Sequence, residues 1–226
     1  IGSDNKFIKK DNSTVQLKKT IVESYVLNDE QISSLRFLEL TKNKFEVSVL
    51  QGITGSGKTL VYFERIKKII ETNKQALVLL PEIFLTNDFK ARFENCFGFE
   101  PAIWHSKITP KQKRLIWKGI IKNEIKILIG ARSALLLPFK KLGVIIVDEE
   151  HDPSYKQDEG VIYNARDMAI SRASFEKIPI HLVTSVPSIE TYNNIQNKKY
   201  RHTKILRRFE NFPLPKTKVI NLNLNK

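Results

Sequence analysis

A glycine-rich stretch at residues 52–59 has the composition and spacing of a loop that binds phosphate. It reads Gly-Ile-Thr-Gly-Ser-Gly-Lys-Thr, follows an apolar run and precedes a segment whose apolar residues recur at helical spacing. Glycines leave successive backbone N–H groups free to turn toward phosphate oxygens, and the start of the following helix adds donors and partial positive charge. The stretch therefore predicts a nucleotide-binding loop between a strand and a helix.

Two side chains of this loop carry the expected chemistry. Lys58 is expected to take a catalytic role by reaching the β- and γ-phosphates of a nucleotide, and the Thr59 hydroxyl is expected to bind Mg²⁺. A glycine turn with a solvated lysine would show some of the same letters, but the complete pattern between a strand and a helix favours nucleotide binding. The predicted cofactor-binding residues of the loop are Gly52, Thr54, Gly55, Ser56, Gly57, Lys58 and Thr59.

A second chemical motif, Asp-Glu-Glu-His at residues 148–151, follows another apolar run. In an enzyme with a phosphate loop, an Asp at this place holds Mg²⁺ and the adjacent Glu orients or deprotonates the attacking water. We therefore expect Asp148 to bind the metal and Glu149 to act on water. His151 either senses the nucleotide state or caps the turn. A buried strand that emerges into solvent also ends in acids, but the pairing with the phosphate loop favours catalysis.

The rest of the chain alternates short apolar runs with helical patterns, which would position these motifs. Short continuous apolar strands alternating with helices indicate a parallel sheet covered by helices on both faces. The predicted fold class is a doubly wound α/β domain, whose ligands collect at the carboxyl ends of the strands. Strands are expected at 47–50, 76–80, 102–104, 125–129, 144–147 and 180–183, and helices at 59–71, 85–97 and after the N-caps Asn28, Thr109 and Asn164.

Composition indicates a globular protein with a polyanionic partner. The 226 residues carry a net charge of +14, and the Lys and Arg residues are spread along the chain. Such a field favours nucleic acid, although a general richness in Lys, Asn and Ile explains part of the excess. No stretch approaches the roughly 20 apolar residues that span a bilayer, so we expect a cytoplasmic protein without a membrane partner. The single cysteine, Cys96, excludes an internal disulfide and a cysteine-based metal cluster.

Together the motifs resemble the first RecA-like motor domain of the superfamily 2 DNA helicases, and within them the PriA family of replication-restart helicases. The resemblance implies a P-loop NTPase with a RecA-like, mostly parallel sheet, and Mg-ATP as its cofactor. The acidic tetrad alone indicates only a helicase, whereas its continuation through Ser-Tyr-Lys-Gln to Ala-Arg-Asp is specific to this family. The matching segments, in family order, are 27–31, 52–59, 80–86, 104–106, 129–135, 138–140, 148–157 and 163–167.

The resemblance also implies roles for residues outside the phosphate loop. Gln31 is similar to the glutamine that reads the adenine edge, although its position equally suits a helix capping box. Residues 152–163 resemble an aromatic-rich loop that couples DNA to hydrolysis, since aromatic faces stack on bases and cations follow phosphates. Tyr155 and Tyr163 suit half-buried loop positions as well as DNA contact. The implied coupling residues are His151, Thr184 and Ser185, and the implied DNA contacts are Pro81, Glu82, Thr86, Arg132, Ser133, Tyr155, Lys156, Tyr163 and Arg166.

The chain departs from the family pattern at three places. Val186 replaces a threonine whose hydroxyl links hydrolysis to unwinding, and Ala131 stands where Thr is usual. Val161 and Ile162 stand where the family's loop tends to carry another aromatic residue. The family's zinc-binding insert and second RecA-like domain are not recognised in the sequence, so we expect no zinc site. We divide the chain into a basic arm or upstream remnant at 1–26, a RecA-like ATP-binding domain at 27–200, and a basic tail or the start of a linker at 201–226.

Two functions remain open at this point. The first is the motor domain of a 3′-to-5′ DNA helicase in replication restart, which couples Mg-ATP hydrolysis to translocation on single-stranded or forked DNA. Its further partners would be primosome proteins or a separate chain carrying the second motor domain. The alternative is a truncated, non-catalytic module that binds nucleotide and DNA. The resemblance implies that the second RecA-like domain supplies arginines to the γ-phosphate. Because such an arginine finger contributes about 10³–10⁵ in rate in P-loop NTPases, we expect this chain by itself to hydrolyse ATP slowly.

Overall fold

The computed structural model describes residues 26–40, 44–158 and 160–208. The arm predicted at 1–26 lies outside these ranges except for its last residue, and most of the tail predicted after residue 200 lies outside them too. Within the described part of the chain, no helix combines the length and the apolar character needed to cross a membrane.

A sheet of seven parallel strands is the centre of the described structure, in the order β3-β4-β2-β5-β8-β1-β9. Its strands are β1 (Glu46–Gly52), β2 (Gln75–Leu79), β3 (Ala102–Trp104), β4 (Ile127–Gly130), β5 (Leu142–Asp148), β8 (Pro179–Thr184) and β9 (Arg201–Ile205). Two further strands, β6 (Lys156–Gln157) and β7 (Tyr163–Asn164), form a separate antiparallel ribbon. The prediction of a parallel α/β sheet is confirmed.

The described chain contains six α-helices: α1 (Asp29–Glu39), α2 (Lys58–Glu71), α3 (Asn87–Phe97), α4 (Pro110–Ile121), α5 (Ala165–Glu176) and α6 (Ile189–Gln196). Local sequence explains where several of them begin. Asn28 caps α1 and Thr109 caps α4, each in a capping box with the Gln three residues later, and Asn164 caps α5. These caps and the five helices predicted from them and from periodicity are confirmed, whereas α6 was not predicted.

The core has two layers because side chains alternate across a strand whose two faces are both buried. Along β5, Val144 and Ile146 pack with α1, α2 and α3, while Ile145 and Val147 face the layer that contains α4 and α5. Burying each such side chain contributes about 1.5–3 kcal/mol, so an uncovered face would be costly. Helices therefore cover both faces of the sheet and hold the ends of its strands in place.

One boundary predicted from the sequence is wrong. The chain after residue 200 was expected to be a basic tail or linker, but Arg201–Ile205 is strand β9, which pairs with β1 at the edge of the sheet. Its sequence is polar because it is an edge strand, and Ile205 is its one fully buried side chain. The domain consequently extends past residue 200, and β9 delivers the following residues beside the phosphate loop.

Candidate nucleotide-binding site

The predicted phosphate loop joins β1 to α2 with the backbone geometry that its glycines suggested. Gly55 and Gly57 have φ values of +80° and +77°, a region that residues with a Cβ rarely adopt. A Cβ on Gly52 would clash with Ser56 Oγ and lie only 2.9 Å from Lys58 Cγ. The loop therefore keeps its shape only with glycine at these three positions.

Two side chains of the loop place polar groups in its buried interior. Lys58 is buried and its Nζ donates to the Gly52 carbonyl oxygen at 2.8 Å. Ser56 Oγ is buried and has no hydrogen-bond partner among the described residues. A buried polar group without a partner is costly, so a bound ligand that accepts a hydrogen bond from it would relieve that cost. Phosphate oxygens meet this requirement.

Gln31 connects α1 to the phosphate loop. Its Oε1 accepts from the Asn28 backbone N–H at 2.9 Å in the capping box, and its Nε2 donates to the Ser56 carbonyl oxygen at 2.9 Å. The capping-box interpretation is confirmed, and the same side chain also supports the loop. Adenine recognition by Gln31 stays a prediction.

Asp148 lies at the end of β5 and is linked directly to α2. The buried Tyr62 hydroxyl donates to Asp148 Oδ2 at 2.8 Å, and Oδ1 accepts from the Glu149 backbone N–H at 3.0 Å. Burial and, after it, the neighbouring Glu149 carboxylate together raise the pKa of Asp148 to about 6. A buried carboxylate whose charge is disfavoured by its neighbour suits a site that would hold a divalent cation.

Glu149 and His151 form a second cluster of interactions with β8. Glu149 adopts a left-handed φ of +48°, which turns its carboxylate to within 3.7 Å of His151 Nδ1. The same His151 nitrogen lies 2.8 Å from Thr184 Oγ1, whose hydroxyl donates to the Val186 carbonyl oxygen at 2.8 Å. Since Thr184 donates elsewhere, His151 Nδ1 carries the proton of this bond. His151 therefore joins the acidic motif to the loop after β8.

Strand register brings these motifs into one row. Gln51 of β1 pairs with Thr184 of β8, and Val183 of β8 pairs with Asp148 of β5. Gln51 also donates from Nε2 to the Ser185 carbonyl oxygen at 3.4 Å, so Ser185 contributes its backbone here. The phosphate loop, the predicted coupling residues and the predicted metal ligand thus occupy adjacent strand ends.

Glu150 and Arg166 form a buried ion pair that the sequence did not reveal. Arg166 Nη1 lies 3.2 Å from Glu150 Oε2, and both side chains are nearly inaccessible to solvent. The carboxylate also accepts from the Ser188 backbone N–H at 2.7 Å and from Thr191 Oγ1 at 3.0 Å. The prediction that Arg166 contacts DNA is wrong, because the guanidinium is used inside the protein to fix α5 and α6 to the acidic motif.

Tyr155 and Pro81 also have places that differ from the prediction. Tyr155 is 1% exposed, and its hydroxyl oxygen lies 2.6 Å from the Asp148 carbonyl oxygen and 2.9 Å from that of Leu79. A ring enclosed in this way cannot stack on a base, so Tyr155 is removed from the predicted DNA contacts. Pro81 is buried as well and forms the turn after β2.

The remaining predicted DNA contacts lie at the carboxyl edge of the sheet. Arg132 Nη1 donates to the Lys156 carbonyl oxygen at 2.6 Å, and the Lys156 side chain is exposed near Asp158. Ser133 Oγ accepts from Trp104 Nε1 at 3.2 Å. Glu82 and Thr86 are exposed after β2, where Thr86 caps α3, and Tyr163 is half-buried against the core. Their contact with DNA stays a prediction.

Sequence comparison relates the chain to a helicase family. The family described as DEAD/DEAH box helicase matches residues 31–195. The replication restart protein PriA of Rickettsia felis is 43% identical over 209 residues, which are 92% of this chain and 32% of that protein. PriA of Bacillus subtilis is 37% identical over 207 residues, which are 91% of this chain and 26% of that protein. The chain thus spans about a third or less of the length of these relatives.

Comparison with solved structures supports the same fold. RecG bound to a three-way DNA junction superposes with a TM-score of 0.60 at 20% identity, covering 80% of this chain and 24% of that one. At this identity the similarity establishes the fold, a RecA-like α/β domain with a phosphate loop.

Proposed function

Because this chain belongs to the DEAD/DEAH box helicase family, we propose that it is the ATP-binding motor domain of a 3′-to-5′ DNA helicase that acts in replication restart. It couples hydrolysis of Mg-ATP to movement along single-stranded or forked DNA. The homology to replication restart protein PriA covers nearly all of the domain and supports this assignment. The site of action is the cytoplasm, where bacterial replication forks are found.

The observation that carries the proposal is the direct link between the two nucleotide motifs. Tyr62 on α2, one turn after Lys58 and Thr59, donates to the Asp148 carboxylate across the interior. Burial raises the pKa of Tyr62 well above its ordinary value, so the hydroxyl keeps its proton and serves as a donor. The phosphate loop and the acidic motif are therefore held at one site.

Each residue of this site has a role that follows from its place. Lys58 leaves the Gly52 carbonyl for the β- and γ-phosphates, while loop N–H groups and Ser56 Oγ donate to phosphate oxygens. Thr59 and Asp148 would hold Mg²⁺, which would supply positive charge to the transferred phosphoryl group. Glu149 orients the attacking water, and His151 connects the Glu149 carboxylate to Thr184.

The DNA path lies along the same edge of the sheet. Arg132 donates to the Lys156 carbonyl there, and Ser133 follows Arg132 in the chain. Glu82 and Thr86 are further exposed residues of this path. Contacts of this kind recognise the phosphate backbone and leave base sequence unread. A partner chain or a further domain carrying the second motor unit, and other primosome proteins, would complete the machine.

Steady-state ATP hydrolysis with and without single-stranded DNA tests the proposal, with Lys58→Ala as the blank. Hydrolysis that rises with DNA and is lost in the variant supports a motor domain. Nucleotide and DNA binding without turnover, at any DNA concentration, supports the alternative of a non-catalytic binding module. ATP affinity that is the same in folded Lys58→Ala as in the wild type contradicts both.

Salt dependence of DNA affinity tests the proposed path. Lys156→Gln is expected to weaken binding to every sequence equally and to reduce the slope of log affinity against log salt by about 0.7, the value for one phosphate contact on a single strand. Lys44→Gln is a matched control, because both lysines are similarly exposed, at 62% and 65%, and each has one carboxylate neighbour. Lys44 precedes β1 and therefore lies at the amino ends of the parallel strands, opposite the carboxyl ends where the DNA path is proposed. Equal effects of the two variants would contradict the path.

A further inference from the structure

The segment that follows β9 runs directly beside the phosphate loop. The Ile53 backbone N–H donates to the Ile205 carbonyl oxygen at 3.3 Å, where β9 ends and the loop begins. Beyond this point, the backbone N–H groups of Leu206 and Arg207 donate to Glu30 Oε2 at 2.8 and 3.0 Å. The first turn of α1 therefore fixes the path of the chain between Ile205 and Arg208.

This path brings the Arg208 side chain beside Gly55 of the phosphate loop. The position that a Cβ on Gly55 would occupy lies 3.9 Å from Arg208 Nε and 4.0 Å from Arg208 Cγ, so the two residues are close neighbours. Gly55 itself remains exposed. Because Gln31 next to Glu30 donates to the Ser56 carbonyl, the same helical turn positions both the loop and the arginine.

The chemistry of a guanidinium at this place matches the proposed ligand. The loop would present backbone N–H groups to phosphate oxygens, and the Arg208 side chain lies beside Gly55 of the same loop. A guanidinium forms two parallel hydrogen bonds with phosphate and keeps its charge at any physiological pH. The nearby carboxylate of Glu30 already accepts from two backbone N–H groups and has the Arg207 guanidinium 3.5 Å away.

We propose that Arg208 is a nucleotide-binding residue that contacts the phosphates of ATP from the segment after β9. This inference rests on the proposed ATP site and extends it by one cation supplied by the domain itself. It also gives β9 a function, because the strand is what carries Arg208 from the sheet edge to the loop.

The test compares Arg208→Gln, Arg208→Lys and Arg207→Gln in the full 226-residue chain, with titrations of Mg-ATP, Mg-ADP and adenosine. Arg207 is the matched control, because it is the adjacent arginine with a 74% exposed side chain that faces Glu30. Arg208→Gln is expected to weaken ATP and ADP binding about tenfold or more, the effect of losing one charge-assisted hydrogen bond, and to leave adenosine binding unchanged. Arg208→Lys should recover part of the loss, and Arg207→Gln should change each affinity less than twofold.

Two results would overturn the inference while leaving the ATP site intact. One is equal ATP affinity for Arg208→Gln and Arg207→Gln, and the other is the same loss for adenosine as for ATP, which would place the guanidinium on the base. Thermal unfolding of each variant identifies a loss of affinity that comes from unfolding. A wild-type chain that binds ATP no better than Lys58→Ala would instead overturn the proposed function together with this inference.

Discussion

The Tyr155 hydroxyl oxygen lies 2.6 Å from the carbonyl oxygen of Asp148, in the fully buried space between the ends of β2 and β5. The Leu79 carbonyl oxygen is 2.9 Å away on the other side. One side chain from the turn after the acidic motif therefore joins two neighbouring strand ends. The same turn begins the β6–β7 ribbon, which Arg132 contacts through the Lys156 carbonyl. The predicted metal ligand and the predicted DNA edge are thus connected through Tyr155.

Tyr155→Phe is expected to lower the free energy of unfolding by about 1–3 kcal/mol, because a buried carbonyl oxygen loses its donor while the ring still fills the core. Urea unfolding measures this change. Tyr163→Phe, in the half-buried tyrosine of β7, is the control and should change stability much less. Equal stability of the Tyr155 variant and the wild type would show that the hydroxyl contact is not made in solution.

Glu150→Gln is expected to destabilise the fold by roughly 3–5 kcal/mol, since removing one charge of a buried pair leaves the other uncompensated. The amide would also place its own donors against the Ser188 and Thr191 groups that now donate to the carboxylate. Chemical denaturation is the measurement.

The exposed ion pair of Lys156 and Asp158 supplies the control for this prediction. Asp158→Asn, like Glu150→Gln, replaces a carboxylate by an amide of nearly the same shape. Because solvent screens the Lys156–Asp158 pair, the free energy of unfolding should change by less than about 1 kcal/mol. Comparable losses in the two variants would mean that Glu150 is more accessible in solution than its contacts indicate.

His181 on β8 should make stability depend on pH below neutrality. Burial lowers its pKa to about 3, and the charges of Arg65 on α2 and Arg201 on β9 lower it as well. In the unfolded chain the His181 imidazole binds a proton as the pH falls below about 6.5, whereas in the folded chain the same imidazole stays neutral at that pH. This contribution is therefore complete above pH 6.5 and is lost as pH falls, by about 1.4 kcal/mol per pH unit down to about 3.

The difference between wild type and His181→Gln isolates this dependence from the carboxylates that titrate at lower pH. Between pH 6.5 and 5 the wild type should lose stability more steeply than the variant. His105→Gln, which replaces an imidazole in the loop after β3, is the control variant measured beside it. Parallel slopes for wild type and His181→Gln would be evidence that the imidazole is protonated in the fold.

Thr184→Val is expected to uncouple DNA from hydrolysis. The change keeps the side-chain shape but removes the acceptor of His151 and the donor to the Val186 carbonyl. Nucleotide affinity should stay within about twofold, while stimulation by DNA falls by up to about tenfold, the effect of one hydrogen bond of 1–1.5 kcal/mol.

The control is Thr72→Val, which removes a hydroxyl bonded to the Ile69 carbonyl at the end of α2. Its DNA-stimulated rate should match the wild type. An unchanged stimulation in Thr184→Val, measured beside it, would remove Thr184 and His151 from the coupling path.

Local patterns in the sequence determined most of the helices and strands and the two nucleotide motifs. The phosphate loop, the capping boxes of α1 and α4 and the apolar strands each depend on residues within a few positions of one another, so spacing alone identifies them. Gln31 shows the limit of this reasoning, because its capping role is local, while its bond to Ser56 joins residues 25 positions apart.

Tertiary structure decided the roles of Tyr155, Arg166 and the residues after 200. The local sequence around a tyrosine or an arginine in a basic loop does not distinguish a side chain that faces DNA from one that faces the interior. Tyr155 and Arg166 are enclosed only because α5, α6 and the strand ends pack around them. Strand β9 is polar because it lies at the edge of the sheet, so the sequence has no apolar run there that would predict a strand. Its pairing with β1 depends on contacts more than 150 residues apart, and that pairing is what brings Arg208 to the phosphate loop.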